Sequence, residues 1–231
     1  ADALHADFLA TYQKLAQIPF DKTHPTKNSA ARALKNCCLS YLCKNRDDAK
    51  RKMGLDLAFS QFKAAQNMTD QFSSLSSIVN SSDVSMREEA LASFYTQWKN
   101  EELVVIKFFA VQSSSDFGDS RGAALDVVKA LLKHEQYDIK VPTRASSVLA
   151  QFANFNIAFH ASDGSGYKLL ADKILEVDEF NGHTSARWCK QLQHWKRFAE
   201  PYCSLMKKEL ERVSAGAKTN DLKEVASVGL K

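Results

Sequence analysis

The sequence predicts an all-α protein, an irregular superhelical stack of antiparallel helical hairpins of the α-solenoid kind. Three observations point there. Apolar residues recur at spacings of three and four in most of the chain, the period of a half-buried helix. Only 8 Gly and 4 Pro interrupt 231 residues, which favours long regular elements. Strand alternation is almost absent: Tyr137, Ile139 and Val141 alternate with polar residues, but Pro142 stops the run at once.

In chain order, Ala30, Leu34, Cys37, Cys38, Tyr41 and Leu42 make the first clear stripe, with Ser29 placed to cap it. Met53, Leu57, Ala58, Phe62 and Ala65 make a second. Asn67-Met68-Thr69-Asp70 is a helix-starting sequence, with Asn67 or Thr69 as cap. Leu91, Phe94, Tyr95 and Trp98 follow Asp83 or Ser85. Residues 103–111 are apolar nearly all round, with Lys107 as the one polar break, so a centrally packed helix buried on all sides is expected. Leu125, Val128, Leu131 and Leu132 follow Asp119-Ser120. Leu169, Leu170, Ile174, Leu175 and Val177 follow a Gly-Ser-Gly corner. Trp188, Leu192, Trp195 and Phe198 form a late stripe with Cys189 beside it, and His183 and His194 fall on its outer face. Pro201 should end one helix and enter the first turn of the next, where its missing N–H costs nothing. A final short helix should follow a mobile turn at 216–220.

Breaks between these stripes are short, so sequential helices become antiparallel neighbours and their hairpins stack. About eleven helices are expected, with no fixed-period repeat and no internal linker, hence one helical domain over residues 1–231.

The charge balance excludes some partners. Lys and Arg number 31 against 27 Asp and Glu, and the excess of +4 is dispersed rather than gathered into a basic stripe. No nucleic-acid partner is therefore expected. No apolar run approaches the ~20 residues of a membrane helix, and the first residues have neither a basic region nor an apolar core. No membrane partner or secretory leader is expected. Five cysteines, an odd number without framework spacing, suggest reduced thiols in a cytoplasmic setting.

Chemical motifs are near misses. His134-Glu135 lacks the second His four residues after the first that a zinc-peptidase helix needs; Asp138 stands there. Gly164-Ser165-Gly166 lacks the continuation and preceding strand of a phosphate cradle. It reads as a tight turn feeding a helix, capped by Asp163 or Ser165. His160, between Phe159 and Ala161, has no activatable nucleophile beside it. Arg187 is read as opening the late helix, where a positive charge opposes the macrodipole and so needs another reason, such as a carboxylate across a cavity. No catalytic residue, no metal ligand set and no cofactor site is assigned to this chain.

Several stretches together resemble one family. They are Arg32-x-Leu34-x-Asn36-x-x-Leu39, Asn67-Met68-Thr69-Asp70, the apolar segment from Leu103 to Gln112, and Ser185-Ala186-Arg187. The most specific is Phe159-His160-Ala161-Ser162-Asp163-Gly164-Ser165-Gly166-Tyr167. In order and spread over residues 30–190, they resemble the C-terminal helical domain of the bacterial-type aminopeptidase N (alanyl aminopeptidase) zinc peptidases. The family's His-Glu-x-x-His and Gly-x-Met-Glu-Asn motifs belong to an earlier domain and do not occur here. The resemblance implies a helical cap over a catalytic domain of the same polypeptide, with zinc held in that other domain and peptide substrates passing through a shielded cavity. It also implies that Arg187 faces that cavity and that His160, Asp163, Gly164, Ser165, Gly166 and Tyr167 form a mainly structural corner. A second cavity-side Arg of the family stands beside an Asn-Pro-Asn turn, two positions past the residue matching Arg144. Here the turn reads Val141-Pro142-Thr143-Arg144, and Ser146 holds that place. The start of the family's helical domain is missing, so the chain reads as N-terminally truncated.

The expected function is thus the non-catalytic C-terminal portion of a zinc aminopeptidase, closing the cavity and controlling access to it. The alternative is a free-standing helical-repeat scaffold that binds partner peptides along a concave face.

Overall fold

The structure, a computed structural model, describes residues 2–117 and 121–231. Among them are twelve α-helices, two 3-10 segments and no strand, so the all-α expectation holds. Contacts divide the chain into two compact units, Ala1–Asn100 and Glu101–Lys231.

The first unit contains α1 (His5–Ala16), α2 (Ser29–Leu42), α3 (Asp48–Ala64), α4 (Met68–Val79) and α5 (Val84–Trp98). Three of the five start on a side-chain cap. Asp47, Asn67 and Asp83 accept from the backbone N–H of Lys50, Asp70 and Met86, each satisfying a donor the helix cannot pair itself. Ser29 is not the cap of α2. That place belongs to Asn28, which is left-handed at φ 59 and makes no side-chain cap bond. The core-facing residues of α2 also differ from the expected stripe. Asn36, Cys38, Leu39 and Leu42 are buried, while Leu34 and Tyr41 stay 51% and 45% exposed. The face turns because Asn36 is drawn inward by α4, and Tyr41 stacks on Phe8 of α1 at 4.9 Å. In α3 the contact residue is Gly54, with Met53 exposed. A Cβ there would lie 2.5 Å from the carbonyl carbon of Leu42, so α2 and α3 meet backbone to backbone.

The second unit contains α6 (Glu102–Ser113), α7 (Arg121–Leu131), α8 (Pro142–Phe155), α9 (Ser165–Asp178), α10 (Gly182–Cys189), α11 (Tyr202–Gly216) and α12 (Asn220–Leu230). The 3-10 segments run Ile157–His160 and Leu192–Arg197. α6 packs on α7 and α8, while α9 to α12 pack on one another. α6 is not buried on all sides. Val105, Phe109 and Val111 are enclosed, but Leu103 in its first turn is 77% exposed and Lys107 points outward. The start signal Asp119-Ser120 lies outside the described residues. Residues 137–141 form turns, Tyr137 N–H bonding to His134 and Val141 N–H to Asp138. The late stripe breaks in two: Trp188 and Cys189 belong to α10, Leu192 and Trp195 to the 3-10 segment. His183 and His194 therefore share no helix. Pro201 stands at the N-cap of α11.

The turn before α12, expected to be mobile, is tied down. Asp178, the last residue of α9 and 2% exposed, accepts from the backbone N–H of Lys218 (2.7 Å) and Thr219 (3.1 Å), and from the hydroxyls of Ser185 (2.9 Å) and Thr219. Burial pushes its carboxyl up, and these bonds outweigh burial and hold it below the ordinary carboxylate range.

Candidate functional site

The corner from Asn156 to Tyr167 is a packed joint. Asn156 is 3% exposed and uses its whole amide. Its Nδ2 donates to the carbonyls of Ser113 (3.0 Å) and Ser115 (2.8 Å) after α6, and its Oδ1 accepts from Ala158 N–H at 2.9 Å. That fixes where the 3-10 segment begins. Phe159 then meets Phe152 at 5.6 Å and Tyr167 at 5.1 Å, both edge to face. Gly164 is left-handed at φ 73 and is the N-cap of α9, and Asp163, one residue before it, accepts from Ser165 N–H at 2.9 Å. Gly166 is required by contact. A Cβ there would lie 2.3 Å from the Phe159 carbonyl oxygen, which is backbone and cannot move aside.

His160 completes the joint. Its Nδ1 lies 2.7 Å from the Tyr167 hydroxyl, and its ring lies 4.5 Å from that of Phe198. Burial lowers its pKa, so the ring is neutral at pH 7 and Nδ1 can accept the hydroxyl proton. Burial likewise raises the Tyr167 hydroxyl to about 12. Both groups hold one another, and neither is poised to exchange a proton with a substrate.

Arg187 is placed differently from the sequence reading. It lies in the last turn of α10, not the first, where its charge favours the helix dipole. The macrodipole argument for a special role therefore falls. The side chain is exposed and donates to Ser146 Oγ at 2.9 Å, which also receives Trp188 Nε1 at 3.3 Å. The structure thus brings Arg187 against Ser146, the position that the resemblance pairs with a second Arg. Arg144 serves packing instead, donating to the Gln136 carbonyl at 3.2 Å and to Glu102 at 3.3 Å.

The near-miss metal motif does not fit a metal. His134 lies beyond the end of α7 with its ring 5.2 Å from Phe109, and its Nδ1 accepts from Gln136 N–H. Asp138 is exposed and accepts from Lys140 N–H. Among the described residues no three His, Cys, Asp or Glu side chains gather to hold a metal ion. The five cysteines are unpaired. Burial pushes Cys43 and Cys189 up to about 12, which leaves them as unreactive thiols.

In the first unit, residues that looked unremarkable alone join in one buried network. Asp70 accepts from Asn36 Nδ2, Asn67 Nδ2 and Lys35 Nζ, each at 2.9 Å. Gln61 Nε2 reaches Asn36 Oδ1 at 2.8 Å and Ser74 Oγ at 2.9 Å. Sequence reasoning singled out Asn36 and Asn67 to Asp70 separately and missed their pairing. It missed Asp178 too, although an acidic residue at a helix C-terminus opposes the dipole and so signals a local partner.

Known proteins carry the same pattern. A protein-family model described as a domain of unknown function (DUF3458_C) with ARM repeats matches residues 1–231. Aminopeptidase N of Caulobacter vibrioides is 37% identical over 217 residues, covering 92% of this chain and 24% of that protein. Aminopeptidase N of Haemophilus influenzae is 32% identical over 215 residues, covering 93% and 23%. Among solved structures, the Legionella pneumophila aminopeptidase A crystallised in complex with aspartic acid superposes with a TM-score of 0.87 at 25% identity. That match covers 99% of this chain and 27% of that one. The chain spans about a quarter of the length of these relatives. It belongs to the DUF3458_C ARM-repeat family and corresponds to the C-terminal helical domain of bacterial-type aminopeptidase N.

Proposed function

We propose that this chain is the non-catalytic cap of a zinc-dependent aminopeptidase that removes N-terminal residues from peptides. In this reading both units belong to one helical domain, which closes the cavity over a catalytic domain of the same polypeptide and controls which peptides enter. The observation that carries it is coverage: 92% of the chain aligns with 24% of an aminopeptidase N, leaving the remainder of such a protein to house the chemistry. The site geometry supports the same division. His160 and Tyr167 of the corner are engaged with one another, and no metal cluster occurs among the described residues. Zinc would be held outside this chain, whose described residues gather no set that fits it.

Within this reading Arg187 is the side chain that meets peptide in the cavity, held in place by Ser146. Lids of this kind act by excluding water and by sorting substrates. The unpaired thiols favour a reducing compartment, the cytoplasm. No described helix is long and apolar enough to cross a membrane.

The reading frame that encodes these residues tests the proposal. Upstream it should encode His-Glu-x-x-His, and the native protein should be far heavier than 25.8 kDa. A native product of this mass, with no peptidase module ahead, would leave the free-standing scaffold as the better reading.

A further inference from the structure

The first unit contains a cleft of about 400 Å³ that none of the functional reading above uses. It lies between the end of α1, residues 18–20, the start of α2 and the end of α3. Its size suits a small molecule or one to three residues of peptide. One wall is apolar, built from Leu15, Ile18, Pro19 and Phe20. The charged groups lining it are Arg32, Lys35 and Asp70.

These three charges do not cancel. Lys35 and Asp70 pair at 2.9 Å with side chains only 11% and 9% exposed, and Asn36 and Asn67 also donate to the carboxylate. Asp70 is thus already neutralised within the protein. Arg32 has no carboxylate partner. Its Nη1 donates to the Lys27 carbonyl at 2.6 Å and its Nη2 to the Pro25 carbonyl at 2.5 Å, and its guanidinium lies 5.3 Å from the centre of the Phe20 ring. Those bonds use two of five N–H donors and hold the planar group still. A half-buried, pre-positioned guanidinium beside an apolar wall matches a carboxylate that carries an apolar group.

We propose that this cleft binds small carboxylates bearing an apolar side chain, with Arg32 as the anion contact and the wall of Leu15, Ile18, Pro19 and Phe20 as the side-chain contact. The chemistry is shared by a free acid and by the C-terminal residue of a short peptide.

Calorimetric or NMR titration of the 231-residue chain tests this with N-acetylphenylalanine, Ala-Ala-Phe and the C-terminal amide of each. Each acid that binds should do so at least about tenfold more tightly than its amide, the difference expected for one charge-assisted contact. Binding of both acids assigns the cleft to peptide C-termini, and binding of N-acetylphenylalanine alone assigns it to free acids. Arg32→Gln should remove the preference for acid over amide. Because Arg32 also holds the loop carbonyls, Ala64→Trp provides a second variant that fills the cleft without touching that residue. It should abolish binding of both acids while leaving the melting temperature within a few degrees. Equal affinity for acid and amide, no binding of either acid up to about 10 mM, or unchanged binding in Ala64→Trp would overturn the proposal.

Discussion

Gly166 and Asp178 show how much of this fold hangs on single atoms. Gly166→Ala places a Cβ against the Phe159 backbone at 2.3 Å, so the 3-10 segment must shift from its partners. A loss of at least about 3 kcal/mol in denaturant unfolding is expected, at the severe end for one methyl group. Asp178→Asn replaces an acceptor of four hydrogen bonds with an amide that can no longer accept them all. At pH 7 it should cost about 2–3 kcal/mol. The pH dependence gives the sharper test. The folded carboxyl is held below its ordinary range, so its stabilisation is fully present above the unfolded value near 3.9 and is lost as pH falls through the lower folded value. The stability gap between wild type and Asp178→Asn should therefore narrow as pH is lowered from 7 toward 3. A gap that stays constant would remove the charge from the explanation. Arg187→Ala should behave in the opposite way. Its bond to Ser146 is exposed, so stability should change by less than about 0.5 kcal/mol. Under the proposed cavity role, the same substitution in the longer aminopeptidase should raise KM for peptides with kcat nearly unchanged, because that role has the residue meet substrate away from the metal. Unchanged kinetics for every peptide would take the cavity role from Arg187.

Helix starts were more legible than helix faces. Asn67 and Asp83 were readable as caps because an oxygen one bond beyond Cβ has a simple geometric task. Asn67→Ala should cost about 1 kcal/mol through the cap, and more because Asn67 Nδ2 also bonds Asp70 at 2.9 Å. A fall in melting temperature no larger than that of an Asp47→Ala cap variant would show that the second bond is idle. The face of α2 was misread, since its apolar residues nearly circle the helix and periodicity alone could not rank them. The polar Asn36 decided the register, through a partner 34 positions away. The same limit applies to α10, whose stripe continued on paper across a break into a 3-10 segment. Arg187 was placed at the wrong end of its helix for that reason. At the corner, the structure traces the two glycines to one left-handed turn and one forbidden Cβ, neither of which a periodicity can show.

At the scale of the whole chain, fold class and family were legible while the working surfaces were not. A period of three to four and few breaks are sufficient for an all-α reading, and the aminopeptidase N resemblance rested on ordered motifs across residues 30–190. The Asp178 lock and the Arg32 cleft could not be read, because each needs residues from separate helices to meet in space. The central claim is that these helices contain no peptidase chemistry of their own. The most direct measurement is metal content together with turnover of an alanyl anilide by the purified 231-residue chain. The account expects less than a tenth of an equivalent of zinc, about the level of carry-over, and no turnover above buffer. Stoichiometric zinc with release of alanine would contradict it.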